Sequence, residues 1–213
     1  MDPDGALREV EAEPGPELIR YAERYGAVPV EGRRAEVCLE AGARFDRMDQ
    51  VLERGFMILV DYGYSAEEKY GPARSRGTLL AYHRHETNRE YLARVGEQDL
   101  TAHVNWTALA DHAADRDWRL LALTGQDRFL IANGILEPLE ARNEEDWRDP
   151  DKVRLRLQAK QLIHPEGMGK SFQVMVLFKG EGPLPRLGGL VDPFREWPPG
   201  ANVPGTGGEG RES

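Results

Sequence analysis

A short apolar run, GFMILV, stops at Asp61, Tyr62 and Gly63. An apolar strand that ends this way sets polar groups at the carboxyl edge of a sheet, where open α/β folds bind their ligands. There Asp61 can hold a polar or basic group, Tyr62 can line a cleft, and Gly63 lets backbone or ligand come close. An Asp that merely caps a turn is the plainer alternative. The polar stretch that follows, to Trp106, holds three of the five histidines. A compact domain seldom keeps so long a polar connection unless it lines a site.

Asp99 and His103 stand four positions apart. On one helix face the pair would orient the imidazole for proton transfer. Asp99 as a helix N-cap, with Thr101 in the first turn, explains the same residues equally well. His83, His85 and His103 raise the question of a metal, since His-x-His can offer two imidazoles to one ion. No cysteine pair and no HExxH spacing accompanies them, so no metal site is assigned. Hydrogen-bonding site roles for His85 and His103 compete with plain structural ones. Arg74, Arg76 and Thr78 surround Gly77 and suit either a bound anion, such as a carboxylate, or a solvated loop. The EGMGK segment lacks GxxxxGK[ST] spacing and is read as a tight lead-in to a strand, not a phosphate loop.

Elements must position these groups. Residues 16–25 predict a helix opened by Pro16 and stopped by Gly26. Residues 33–39 predict a short strand, and 41–52 a helix with Gly55 as its C′ residue. Residues 56–60 are nearly all apolar, which predicts a strand covered on both faces. Strands are also predicted over 79–82, 118–123 and 172–178, and helices over 101–115, 127–139 and 153–163. Residues 7–13 suit one exposed strand, and 143–151 a charged linker. The alternation points to an α/β fold. The region from Gly180 onward is proline, glycine and charge, a composition that predicts disorder.

The 213 residues suffice for one domain with a real core, or for part of a larger one. Net charge is −9, which argues against a general nucleic-acid binder. No apolar run approaches the roughly 18 residues that span a bilayer. Cys38 is the single cysteine, which excludes an internal disulfide and fits a cytoplasmic location. It is expected to be a small buried hydrophobe.

Five ordered blocks carry a resemblance. They are RGFMILVDYGY (54–64), RGTLLAYHRH (76–85), GEQDLTAHVNWTALA (96–110), LTGQDRFLIANGI (123–135) and LIHPEGMGKSFQVMVLFKG (162–180). Together they resemble the MidA family of S-adenosylmethionine-dependent methyltransferases, whose mitochondrial members act in respiratory complex I assembly. GRRAEV (32–37) resembles the segment ahead of them. The chain departs from the family in having Asn105-Trp106 for Asp-Phe and Val95-Gly96 for Pro-Gly.

The resemblance covers residues 31–180 and matches only the C-terminal part of that family's catalytic domain. It implies the C-terminal half of a Rossmann-like class I methyltransferase sheet with a polar insert, its last strand antiparallel and inserted between the two before it. The N-terminal cofactor-binding strands and their glycine-rich loop are not found, so no residue is assigned to the cofactor, S-adenosyl-L-methionine. Residues 1–30 then form a lead-in segment, 31–180 the catalytic part, and 181–213 a tail. The implied reaction is methylation of a protein nitrogen, an arginine guanidinium, by direct attack on the sulfonium methyl. Asp61, Asp99 and His103 become the candidates for acceptor orientation or proton removal. Tyr62, Gly63, Arg76, Thr78, Tyr82, His85 and Thr101 become the candidates for acceptor binding. The expected partners are a protein substrate and either a separately encoded N-terminal half or a second copy. A non-catalytic assembly or interaction module, or a truncated inactive product of the same family, is the alternative.

Overall fold

The computed structural model describes residues 7–28, 30–84, 86–140 and 144–183. Helix α1 (Pro16–Tyr25) begins on a proline and ends at Gly26, whose φ of 74° provides a left-handed cap. Helix α2 (Glu40–Asp49) turns Phe45 fully inward. Strand β1 (Gly55–Tyr64) leads to α3 (Ala66–Lys69), which opens with a reciprocal cap between Ser65 and Glu68. Strands β2 (Leu80–His83), β3 (Glu86–Asn88), β4 (Asp99–Thr101) and β5 (Val104–Asn105) precede α4 (Trp106–Ala114). Strand β6 (Arg119–Gly125), α5 (Gln126–Ala132), α6 (Glu144–Arg148), α7 (Pro150–Ile163) and β7 (Phe172–Lys179) follow. Asp149 caps α7 by accepting from the Asp151 and Lys152 N–H groups. No helix among the described residues is long and apolar enough to cross a membrane.

The chain divides into two compact units, residues 1–46 with 62–111, and residues 47–61 with 112–213. In the first, β2 lies between β3 and β4 in an antiparallel sheet, and the end of β1 pairs parallel with β5. That pairing sets Gly63 beside Val104 and Tyr64 beside Asn105. Asn105 then caps α4 by accepting from the Ala108 N–H at 3.2 Å. Trp106, 1% exposed, lays its indole against Gly63, where a Cβ would stand 2.1 Å from Nε1. The glycine is needed for the protein's own tryptophan.

In the second unit the strand order is β1-β7-β6, with β6 and β7 antiparallel. The inserted last strand expected above is found here. Every residue from Val174 to Phe178 is buried, as only a strand covered on both faces allows. Asp49 accepts from Trp118 Nε1 at 2.7 Å and from Lys179 Nζ at 2.5 Å, tying the end of α2 to β7 and to the residue before β6. Gln126 Nε2 donates to the Leu162 carbonyl at 2.9 Å and joins α5 to α7.

Several expectations are corrected. The helix expected over 101–115 begins only at Trp106, because β2 recruits residues 99–101 as a strand partner. Double cover belongs to β7 and not to β1, on which Ile58 and Val60 are each 49% exposed. The strand expected over 33–39 shrinks to one bridge, Arg34 to Arg76. Gly55 opens β1 and does not close α2. Residues 7–13 have no strand partner, and α6 falls within the expected linker. Cys38 is exposed, since the segment that would have buried it forms no strand. The tail beyond Pro183 lies outside the described residues.

Two outcomes follow from this packing. Gly63→Ala should cost roughly 1–3 kcal/mol in urea unfolding, as overpacking against a buried indole does. Hydrogen bonds from Lys179 and Trp118 hold the Asp49 carboxyl below its ordinary value of 3.8. A carboxyl depressed in the folded state contributes stability that is present above its unfolded value and lost as pH falls through the folded one. The urea midpoint should therefore drop as pH is lowered below 3.8, and Asp49→Asn should flatten that part of the profile.

Candidate functional site

The β1–β5 register brings an aromatic cluster together in the first unit. His103 immediately precedes β5, and its ring stacks on Tyr64 with centroids 4.7 Å apart and planes 16° apart. Tyr62 lies 5.9 Å from the same imidazole. The Arg74 guanidinium sits 3.5 Å from the Tyr64 centroid, and its Nη1 donates to the Glu68 carbonyl at 2.9 Å. Such a cation over an aromatic face is held by the ring quadrupole. The arrangement can hold planar groups in layers and present an imidazole in a fixed orientation.

Beside it lies a half-buried carboxylate. Glu36 accepts from the N–H groups of Thr78 and Leu79 at 2.8 and 2.9 Å, and from Thr78 Oγ1 at 3.0 Å. Lys69 Nζ stands 3.6 Å away, on a side chain that α3 turns inward to 5% exposure. Gly77 adopts φ +69°, and a Cβ there would stand 2.0 Å from Glu36 Oε1. Burial pushes the Glu36 carboxyl up, but the Thr78 and Leu79 hydrogen bonds and Lys69 outweigh it and hold the group ionised below its ordinary value. Burial pushes the Lys69 ammonium down, and Glu36 counters this only in part. A network of Tyr21, Tyr70 and Asn105 adjoins this pair: Asn105 Nδ2 donates to Tyr21 Oη at 2.8 Å, and Tyr70 Oη donates to the Glu36 carbonyl at 3.3 Å.

Glu36, Lys69, Tyr70, Arg74 and Arg76 contribute to the wall of a cavity of about 1200 Å³, together with Leu18, Ile19 and Ala22 of α1. At its rim Glu9 is clasped by Arg34 through two hydrogen bonds of 2.6 and 2.8 Å, and the Tyr91 hydroxyl donates to the same carboxylate.

The predicted residues separate into groups. Tyr62, Thr78 and His103 come together around Tyr64, Arg74 and Glu36. Gly63 adjoins them but is filled by Trp106. Arg76 lines the cavity, and its carbonyl accepts from Arg89 Nη1 at 3.0 Å. Tyr82 and Asp99 face each other across β2 and β4, both exposed, while Thr101 pairs with Leu80. Asp99 and His103 therefore share no helix face. Asp61 is exposed on the part of β1 that belongs to the second unit. His85 lies outside the described residues. Sequence reasoning missed Tyr64, Glu36 and Lys69. The turn around Gly77 does hold a carboxylate, as its residues allowed, but the carboxylate is the chain's own. The pointer to Glu36 was its place in GRRAEV.

An α/β fold with a last strand inserted into a mixed sheet, and with ring and imidazole groups at the end of β1, is the class defined here. Residues 2–124 match the model of a family described as "Putative S-adenosyl-L-methionine-dependent methyltransferase". That is more than half of the chain, and the chain belongs to this family. It is similar to a protein of Burkholderia thailandensis whose crystal structure holds S-adenosyl-homocysteine, at 28% identity and a TM-score of 0.70, covering 86% of this chain and 47% of that one. It is also similar to the native crystal structure of an uncharacterized Burkholderia thailandensis protein of the same superfamily, at 26% identity and a TM-score of 0.68, covering 84% of this chain and 47% of that one. The chain thus spans about half the length of these two structures. No curated protein matches it.

The family's methyl donor is S-adenosyl-L-methionine. In α/β enzymes a nucleotide-bearing cofactor rests on glycines that follow strands. Here the glycines at the ends of β1 and β6 and in the turn before β7 are closed by the chain's own atoms, while Gly26 and Gly32 border the cavity with nothing within 4 Å of a Cβ. Trp106 fills the space at Gly63, and a Cβ on Gly125 would stand 2.5 Å from Asp127 Oδ1. Before β7, Gly167 and Gly169 lie against the Gln161 and Ile163 carbonyls, at 2.8 and 2.5 Å from a Cβ. None of these closed turns provides a cradle for the donor.

The Glu9 clasp gives a direct check on the electrostatics at the cavity rim. Hydrogen bonds from Arg34 and then Tyr91 hold the Glu9 carboxyl down to about 2. In Arg34→Ala its carboxyl-carbon NMR titration should move from about 2 toward the ordinary 4.5. An unmoved midpoint would mean that the clasp does not form in solution.

Proposed function

We propose that this chain supplies the acceptor side of an S-adenosyl-L-methionine-dependent protein methyltransferase of the MidA type. The acceptor is an arginine guanidinium of a protein, the substrate class that the resemblance ties to respiratory complex I assembly. The family match over residues 2–124 carries the methyltransferase reading. The acceptor class rests on the resemblance alone, and the Tyr62, Tyr64 and His103 rings supply the aromatic and imidazole groups placed beside the acceptor. His103 takes or holds the acceptor proton, Tyr64 and Arg74 hold the imidazole in place, Tyr62 orients the planar group, and Asp61 and Asp99 are further candidates for holding its charge. Tyr82, Thr101 and His85 remain candidate contacts with the acceptor protein.

Donor binding is assigned to polypeptide outside these 213 residues, on the same or a separate chain. Three observations support this assignment: the closed glycines, the 47% coverage, and a β1 whose Ile58 and Val60 stay half exposed. The β5 ladder reaches only Gly63 and Tyr64, which leaves the rest of that margin for another strand. A non-catalytic assembly module is favoured by the same closed glycines.

Calorimetry separates the two. The chain alone should bind no S-adenosyl-L-methionine, and a complex with the donor-binding half should bind it and label a protein arginine with methyl. In that complex His103→Ala should lower turnover by about tenfold or more. A complex that binds the donor yet methylates no protein would leave the assembly module as the answer.

A further inference from the structure

The Thr78 hydroxyl is on a residue only 6% exposed and has three partners. It lies 3.0 Å from Glu36 Oε2, 3.3 Å from Lys69 Nζ and 3.0 Å from the backbone nitrogen of His103. A hydroxyl has one hydrogen to give and two lone pairs to fill. The ammonium and the backbone N–H can only donate, and an ionised carboxylate can only accept. The hydroxyl hydrogen must therefore point to Glu36, and the two lone pairs receive Lys69 and His103. Every capacity of the group is used, and its direction is fixed by the charge states of its neighbours.

Glu36 is itself immobilised. The N–H groups of Thr78 and Leu79 close on its carboxylate, and only a glycine at position 77 leaves it room. At the other end, His103 is the residue just before β5, and the β5 register determines where its ring meets Tyr64. Deepening the methyl-transfer reading, and resting on its assignment of His103, we infer that Thr78 is the positioning residue for the His103 imidazole. Glu36 and Lys69 orient the Thr78 hydroxyl, the hydroxyl anchors the His103 backbone, and the ring lies flat on Tyr64 while that chain of hydrogen bonds stays closed.

The test is made by NMR on the 213-residue chain, with His103 signals assigned from their loss in His103→Gln. Stacking on Tyr64 should shift the His103 ring protons upfield. Thr78→Val keeps the shape and removes the hydroxyl, and the upfield shift should vanish. Thr78→Ser restores the hydroxyl and should restore the shift, an outcome that a merely space-filling role would not produce. Should Thr78→Val fail to fold, Thr78→Ala serves, since it removes the same acceptor of the His103 N–H without adding a methyl beside Lys69 and Glu36. Amide hydrogen exchange at His103 should then rise at least about tenfold. An unchanged ring shift in a folded Thr78→Val, or unchanged exchange in Thr78→Ala, overturns the inference. If the His103 signals respond as stated while the complete assembly never transfers methyl, the positioning stands and the acid–base role of His103 falls.

Discussion

A carboxylate drawn partly out of water, beside a buried lysine, is stable when its charge is balanced and its lone pairs are filled. Glu36 meets both conditions by drawing in three other segments: the turn at Gly77, the end of α3 through Lys69, and, through Thr78, the residue ahead of β5. These segments are irregular or very short, and none would hold its shape alone. The first unit has little extended sheet, and its order near the aromatic cluster depends on this polar knot as well as on the apolar contacts of Phe45, Ala81 and Trp106. Losing Glu36 would leave the buried Lys69 and Thr78 without their acceptor, which is why such networks are either complete or costly.

The second unit is organised differently. Its centre is β7, whose residues from Val174 to Phe178 are buried on both faces, and its polar ties include Asp49 with Trp118 and Lys179 and Gln126 with the Leu162 carbonyl. Some glycines in each unit serve the chain's own packing. Gly63 makes room for an indole, Gly77 for a carboxylate, and Gly169 for a carbonyl, each at a distance no side chain permits.

The sequence was legible where a signal is local. Helix α1 is bounded by Pro16 and Gly26 as their backbone preferences require, and β7 follows from an unbroken apolar run. It misled where a tertiary partner overrode the local signal. Residues 99–101 carry an N-cap pattern, yet β2 claims them as a strand, which removes Asp99 from the face of His103. Ile58 and Val60 have the apolarity of a fully covered strand without the cover. At the candidate site, Tyr62, Thr78 and His103 were readable from a strand end and a polar insert. Glu36 was not, because its role depends on a turn distant in sequence that no periodicity connects to it. The anion at Gly77 was legible in kind but not in source.

The nest around Glu36 also bears on how this sequence can drift. With the acid present, position 77 admits no side chain, since any Cβ would collide with the carboxylate. With glycine and threonine present, a shorter or apolar residue at 36 would leave two amides and a hydroxyl facing a void. Positions 36, 77 and 78 are therefore exchangeable only as a set, and single steps among them lead through less stable intermediates.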